Sequence, residues 1–151
     1  MMTETLNEVL DSTLDTVDYV EGLALAAAQK AGFRGESLSE ISLAVHETAI
    51  NAVIHGNRYS AQKKVGVAIS VSEAGLKISI ADEGGGFDAE TLPDPLAGQR
   101  LLQDHGRGVY ISRAFMDEYC VRSRDTGGTE VTLIKYRQPP ESIQRHGLSE
   151  N

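Results

Sequence analysis

The segment His46-Glu47-Thr48-Ala49-Ile50-Asn51-Ala52-Val53-Ile54-His55-Gly56-Asn57 constrains this chain more than any other. Upstream, Ser37-Leu38-Ser39-Glu40 has the S-x-x-E pattern of a capping box. Together they predict one helix over 38–55, with Gly56 just past its end. Glu47 and Asn51 are four residues apart and share a face of that helix. A glutamate there can take a proton or orient a nucleophile. An asparagine carbonyl oxygen is a hard ligand suited to magnesium. A helix that only packs would carry apolar or small residues at those positions.

Two glycine-rich turns follow. Asp82-Glu83-Gly84-Gly85-Gly86-Phe87-Asp88 ends an apolar strand, and Gly106-Arg107-Gly108 opens another helix. Asp82 can accept a hydrogen bond from an exocyclic amino group such as that of adenine, or it can simply cap a turn. Gly84 and Gly86 would let backbone approach a flat ring. Free amides at Gly106 and Gly108, with a helix dipole behind them, suit an anion, and Arg107 could add its charge. The plainer reading is an ordinary loop-to-helix turn with a surface arginine. Together the acidic-amide helix and the two turns suggest a magnesium–nucleotide site. No G-x-x-x-x-G-K-[ST] loop is present. Residues 84–89 match G-x-G-x-x-A, but Pro93 and Pro95 leave little room for the helix that a Rossmann turn must open.

At 151 residues the chain is long enough for one ordinary domain with a real core. A net charge of -8 argues against nucleic-acid or anionic-membrane partners. With 5% aromatic residues and no Trp, a stacking surface for single strands is not expected. One cysteine, Cys120, excludes an intrachain disulfide and fits a reducing cytoplasm; it reads as a packing residue in a strand. Neither a secretion signal nor a membrane-length apolar run is expected. His46 and His55 lack partners at zinc-ligand spacing and read as hydrogen-bonded structural residues.

The remaining pattern predicts an edge strand near 4–10, a helix over 14–31, a hairpin over 64–82, a helix near 107–117, and strands near 118–124 and 129–136. Residues 84–105 read as a long functional loop. That order implies an α+β fold: a two-layer sandwich with helices on one face of a mixed, mostly antiparallel sheet. The domain is expected to span 1–137, with 138–151 a polar, flexible tail.

In combination the motifs resemble the GHKL ATPases, the group that holds type II topoisomerase subunits and histidine kinases. Glu47-x-x-x-Asn51-Ala52-x-x-His55-Gly56-Asn57 is similar to their N-box, and Asp82-x-Gly84-x-Gly86-Phe87 to their first glycine box. Gly106-x-Gly108 through Met116-Asp117-Glu118 resembles the second glycine box, and Gly128-Thr129-Glu130-Val131-Thr132-Leu133 the last strand. The His-Gly-Asn ending and the Gly-Arg-Gly…Phe-Met-Asp-Glu run look most like the bacterial anti-sigma-factor serine/threonine kinases. That resemblance covers residues 10–136. It implies ATP between helices and sheet, with residues 84–107 as a lid. It also implies Asn51 on magnesium, Glu47 as general base, and Asp82 on the adenine amino group. Gly84 and Gly86 would shape the base pocket, Gly106 and Gly108 would contact phosphates, and Thr129 would lie near the base. The implied partners are an anti-anti-sigma (STAS) protein, phosphorylated on serine, and a sigma factor, with the kinase a homodimer. The alternatives are a non-catalytic, nucleotide-gated binding module and a histidine-kinase catalytic fragment. The latter is disfavoured because no upstream helical hairpin carries a phosphoacceptor histidine.

Overall fold

The computed structural model describes residues 3–84 and 108–137. Strand β1 (Glu4–Leu10) leads into helix α1 (Leu14–Lys30), then helix α2 (Glu36–Ile50), which continues as a π-helical turn, Asn51–Gly56. Strands β2 (Val65–Val71) and β3 (Gly75–Ala81) form the expected hairpin. Helix α3 (Gly108–Phe115) and strands β4 (Glu118–Ser123) and β5 (Thr129–Tyr136) complete the described chain. Residues 85–107, which include Gly86, Gly106, Arg107 and nearly all of the expected lid, lie outside the described residues, as does the tail from 138 on.

The five strands run β1-β2-β3-β5-β4, and each described pairing is antiparallel. The α+β expectation holds, but no parallel pair makes the sheet mixed among the described residues. Alternation sets its two faces. Val65, Val67 and Ile69 of β2, Leu76, Ile78 and Ile80 of β3, and Val131 and Leu133 of β5 are buried. They pack with Val17, Val20 and Ala24 of α1 and Ile41, Val45 and Ala49 of α2 in one core. Cys120 is exposed on edge strand β4, which corrects its reading as a packing residue. Period-2 alternation puts it on the opposite face from buried Val121.

Local chemistry explains the helix ends. Thr13 Oγ1 accepts from the Thr16 amide at 3.3 Å and starts α1. Gly32 at φ +97 ends it, with the Phe33 amide bonded to Ala28 O at 3.0 Å. The capping box at Ser37 does not form. Gly35, at φ 61, turns the chain earlier, so α2 begins at Glu36 and Ser37 falls inside its first turn. The end of α2 also departs from expectation, because the wider π-helical turn closes through the Asn57 amide to Ala52 O at 2.8 Å. Such turns are rare and occur frequently at functional sites. Among the described residues no helix is long and apolar enough to cross a membrane.

Candidate nucleotide site

Asp82 stands where β3 ends and is 7% exposed. Its Oδ1 accepts from the Gly84 amide at 2.9 Å and the Thr129 amide at 3.3 Å. Its own amide donates to Thr129 O at 2.8 Å, and Arg124 Nη1 donates to its carbonyl at 2.8 Å. These bonds fix the carboxylate and leave Oδ2 facing Gly56. Burial pushes the Asp82 carboxyl above its ordinary pKa, and the Gly84 and Thr129 amides, with Arg124 and Lys63, pull partly back. A desolvated, oriented acceptor of this kind gains most from a donor that arrives with a ligand.

One glycine makes room for that carboxylate, and two more let the neighbouring backbones close. A Cβ at Gly56 would lie 2.4 Å from Asp82 Oδ2. At Gly84 it would lie 1.8 Å from Gly56 O, and at Gly128, which also has φ +96, 1.9 Å from Asp82 O. The end of α2, the end of β3 and the β4–β5 turn therefore meet backbone to backbone. Asn57, 1% exposed, ties the same junction together. Its Nδ2 donates to Ser12 Oγ at 2.8 Å and Lys64 O at 3.0 Å, while its Oδ1 accepts from the Glu83 amide at 2.8 Å.

A cavity lies against this junction. Asn51, Ala52, His55 and Gly56 line it from the helix side, and Ile80, Asp82, Thr129 and Val131 from the sheet. At about 30 Å³ it has room for a water rather than a purine. Asn51 Oδ1 is buried without any hydrogen-bond partner, the one such side-chain atom among the described residues. An orphaned carbonyl oxygen beside a cavity is costly unless a ligand completes it, and a hard cation is a suitable ligand. The donor chemistry at Asn51 therefore fits magnesium.

Glu47 lies one turn back, half-buried, and does not line the cavity. Gly108 is the first residue of α3, whose buried Ser112 donates to Ala44 O of α2 at 3.2 Å. Of the residues expected from the sequence, Asn51, Asp82 and Thr129 are brought together around one cavity, and Gly84 packs against their junction. His46 is half-buried and bonds Glu21 Oε1 through Nδ1 at 2.8 Å, as a hydrogen-bonded structural residue would. Sequence reasoning did not assign individual roles to Asn57, Arg124 or Gly128, and it read Gly56 only as the residue past the helix end, whereas Gly56 closes the π-helical turn. The His-Gly-Asn ending and the Gly128 that opens the last-strand motif carried the signal, but only the fold shows that Gly56 and Gly128 flank Asp82.

Residues 10–135 match the family described as the histidine kinase-like ATPase domain. Over 103 residues the chain is 38% identical to the anti-sigma F factors of Bacillus thuringiensis (strain Al Hakam) and Bacillus mycoides (strain KBAB4), with 67% of this chain and 70% of each relative covered. The solved RsbU and RsbW domains of Rv1364c from Mycobacterium tuberculosis match with a TM-score of 0.61 at 20% identity, over 90% of this chain and 33% of that one. This chain thus spans a third of that one, and at such identity the likeness speaks to fold alone.

Proposed function

The chain belongs to the histidine kinase-like ATPase domain family, and from that premise we propose that it is an ATP-dependent protein serine/threonine kinase acting as an anti-sigma factor. It phosphorylates a serine of an anti-anti-sigma (STAS) protein and sequesters a sigma factor, as a homodimer in the cytoplasm. The relatives named anti-sigma F factor support the regulatory part of this reading. The observation that carries the nucleotide part is the pairing across one cavity of a fixed acceptor, Asp82, with an orphaned carbonyl oxygen, Asn51 Oδ1.

In this reading Asp82 accepts from the adenine amino group, with Thr129 beside it and Gly84 and Gly86 shaping the base pocket. Asn51 would hold magnesium, which neutralises phosphate charge when bound. Gly106, Arg107 and Gly108 receive the phosphates at the start of α3, where amides and dipole favour anions. The substrate serine Oγ attacks the γ-phosphorus, the bond from that phosphorus to the β–γ bridging oxygen breaks, and ADP leaves. Glu47 takes the serine proton. Catalysis rests mainly on alignment and charge stabilisation, as little other covalent chemistry is required. That Glu47 stands outside the cavity lining is the observation favouring the alternative, a non-catalytic, nucleotide-gated binding module.

Calorimetry tests the nucleotide assignment. The protein should bind ATP with magnesium more tightly than GTP, because guanine presents an oxygen where adenine presents its amino group. Asn51→Ala should remove the magnesium-dependent part of ATP affinity. Equal affinity for ATP and GTP rules out the role given to Asp82.

A further inference from the structure

His46 of α2 faces Glu21 of α1 across the seam between the two helices, with Nδ1 2.8 Å from Oε1. The two side chains are 35% and 29% exposed. Asp18, three residues before Glu21 and exposed, brings a third donor to the same place. One metal-ligating atom from each of Asp18, Glu21 and His46 lies within 4.8 Å of those of the other two, and this is the one such group among the described residues. Its members come from two helices, which is why His46 has no ligand partner at close spacing in the sequence. Two further observations set the group apart. Among the described residues no Lys or Arg pairs with Asp18 or Glu21, whereas Glu4, Asp11, Glu130 and Glu40 each have one. Two carboxylates held together without a cation repel each other. In addition, Ser42 Oγ donates to Glu21 Oε2 at 2.7 Å, which fixes that carboxylate and leaves Oε1 turned to His46. Outer hydrogen bonds of this kind orient a ligating carboxylate.

We infer that Asp18, Glu21 and His46 form a site for a zinc-class divalent cation that joins α1 to α2. An imidazole nitrogen and two carboxylate oxygens are donors that zinc takes at about 2.0–2.2 Å. Around one ion at that distance no two donors lie more than about 4.3 Å apart, so the group has to close by about 0.5 Å. A small rotation of the exposed Asp18 side chain supplies that movement. Glu21, Ser42 and His46 line an open groove, so water can complete the coordination from the solvent side. The nitrogen donor selects against magnesium, which takes oxygen ligands. The site is separate from the nucleotide cavity, which none of its three residues lines. Glu47, next to His46 in sequence, points about 100° away around the helix. The cation therefore acts on the packing of α1 against α2, and the inference does not depend on kinase activity.

Calorimetry of the full chain with zinc chloride, in a non-chelating buffer without nucleotide or magnesium, tests the site. His46→Gln removes the nitrogen ligand and should weaken zinc binding by at least about ten-fold. Asp18→Asn should do the same, and because Asp18 is exposed this variant keeps the test open if His46→Gln does not fold. Ser42→Ala removes only the outer hydrogen bond to Glu21 and should cost about ten-fold. A ten-fold excess of magnesium over zinc should leave zinc affinity within two-fold. Because the ion joins two helices of the folded chain, zinc at a hundred-fold excess over its dissociation constant should raise the melting temperature by about 5–10 °C. Asp18→Asn should abolish that rise. Zinc bound equally by wild type and both ligand variants, as at histidines elsewhere in the chain, overturns the inference. So does displacement of zinc by magnesium, an unchanged melting temperature, or no zinc binding by the wild type.

Discussion

Gly56→Ala sets two physical effects of opposite sign against each other. Gly56 lies in a helical turn, where replacing glycine by alanine normally stabilises by about 1 kcal/mol. On propensity alone the variant should be harmless or better. The structure says otherwise, because the new Cβ would sit 2.4 Å from Asp82 Oδ2 and 2.5 Å from its Cγ. Ordinary contact requires the carboxylate to retreat by about 1 Å. It cannot retreat freely, because its Oδ1 is bonded to the Gly84 and Thr129 amides. Overpacking of this kind costs about 1–3 kcal/mol, which cancels or exceeds the propensity gain. The larger effect falls on the nucleotide. A hydrogen bond to a charged acceptor contributes about 1.5–3 kcal/mol, so misplacing Asp82 should weaken ATP binding by about 10- to 100-fold. Thermal melting should show a small change, while calorimetry shows the large one. A Gly56→Ala protein that binds ATP within two-fold of wild type would refute the reasoning, since it would mean Asp82 is not held against that glycine or does not contact the base.

Further outcomes follow from the same junction. Asp82 has its carboxyl pKa raised by burial from 3.8, so the folded state holds its proton to higher pH than the unfolded state. Stability from this group is therefore present at low pH and lost as pH rises above about 4 through the folded value. Asp82→Asn should flatten that part of the stability–pH curve and raise the melting temperature of the free protein at pH 7, while weakening ATP binding. A melting temperature that falls at pH 7 would contradict the desolvation argument. Asn57→Ala strands the Glu83 amide and the Lys64 carbonyl and should cost about 3 kcal/mol of stability by urea unfolding; a cost under 1 kcal/mol would mean the junction is not tied through Asn57.

The arrangement of strands and helices was legible because each element has its own period. Val65, Val67 and Ile69 alternate, and Leu14, Val17, Val20, Ala24 and Ala28 follow helical spacing. Element ends were less legible, because they depend on single backbone angles. Gly35 at φ 61 started α2 before the capping box that the sequence offered. The π-helical turn had no local signature; Gly56 meets Asp82 there, and Asn57 bonds Ser12, Lys64 and Glu83 from distant segments. The same reason hid the parts of the site that are contacts rather than chemical groups. Asp82 could be singled out from its type and place at a strand end. That Gly56 is small against the Asp82 carboxylate, Gly84 against the Gly56 backbone and Gly128 against the Asp82 backbone appears only in three dimensions.

The central claim is that this chain transfers phosphate from ATP to a STAS-protein serine, with Glu47 as the base. The most direct measurement is phosphoryl transfer from γ-labelled ATP to purified STAS protein by wild-type and Glu47→Gln enzyme, with ATP affinity measured for both. Glutamine keeps the reach of the side chain and removes its basicity. The wild type should transfer phosphate, the variant should be slower by about 10²–10⁴-fold, and ATP binding should be unchanged. Transfer by Glu47→Gln at the wild-type rate would contradict the role of Glu47. No transfer by the wild type, with ATP-dependent binding of a sigma factor retained, would replace the kinase with a nucleotide-gated binder.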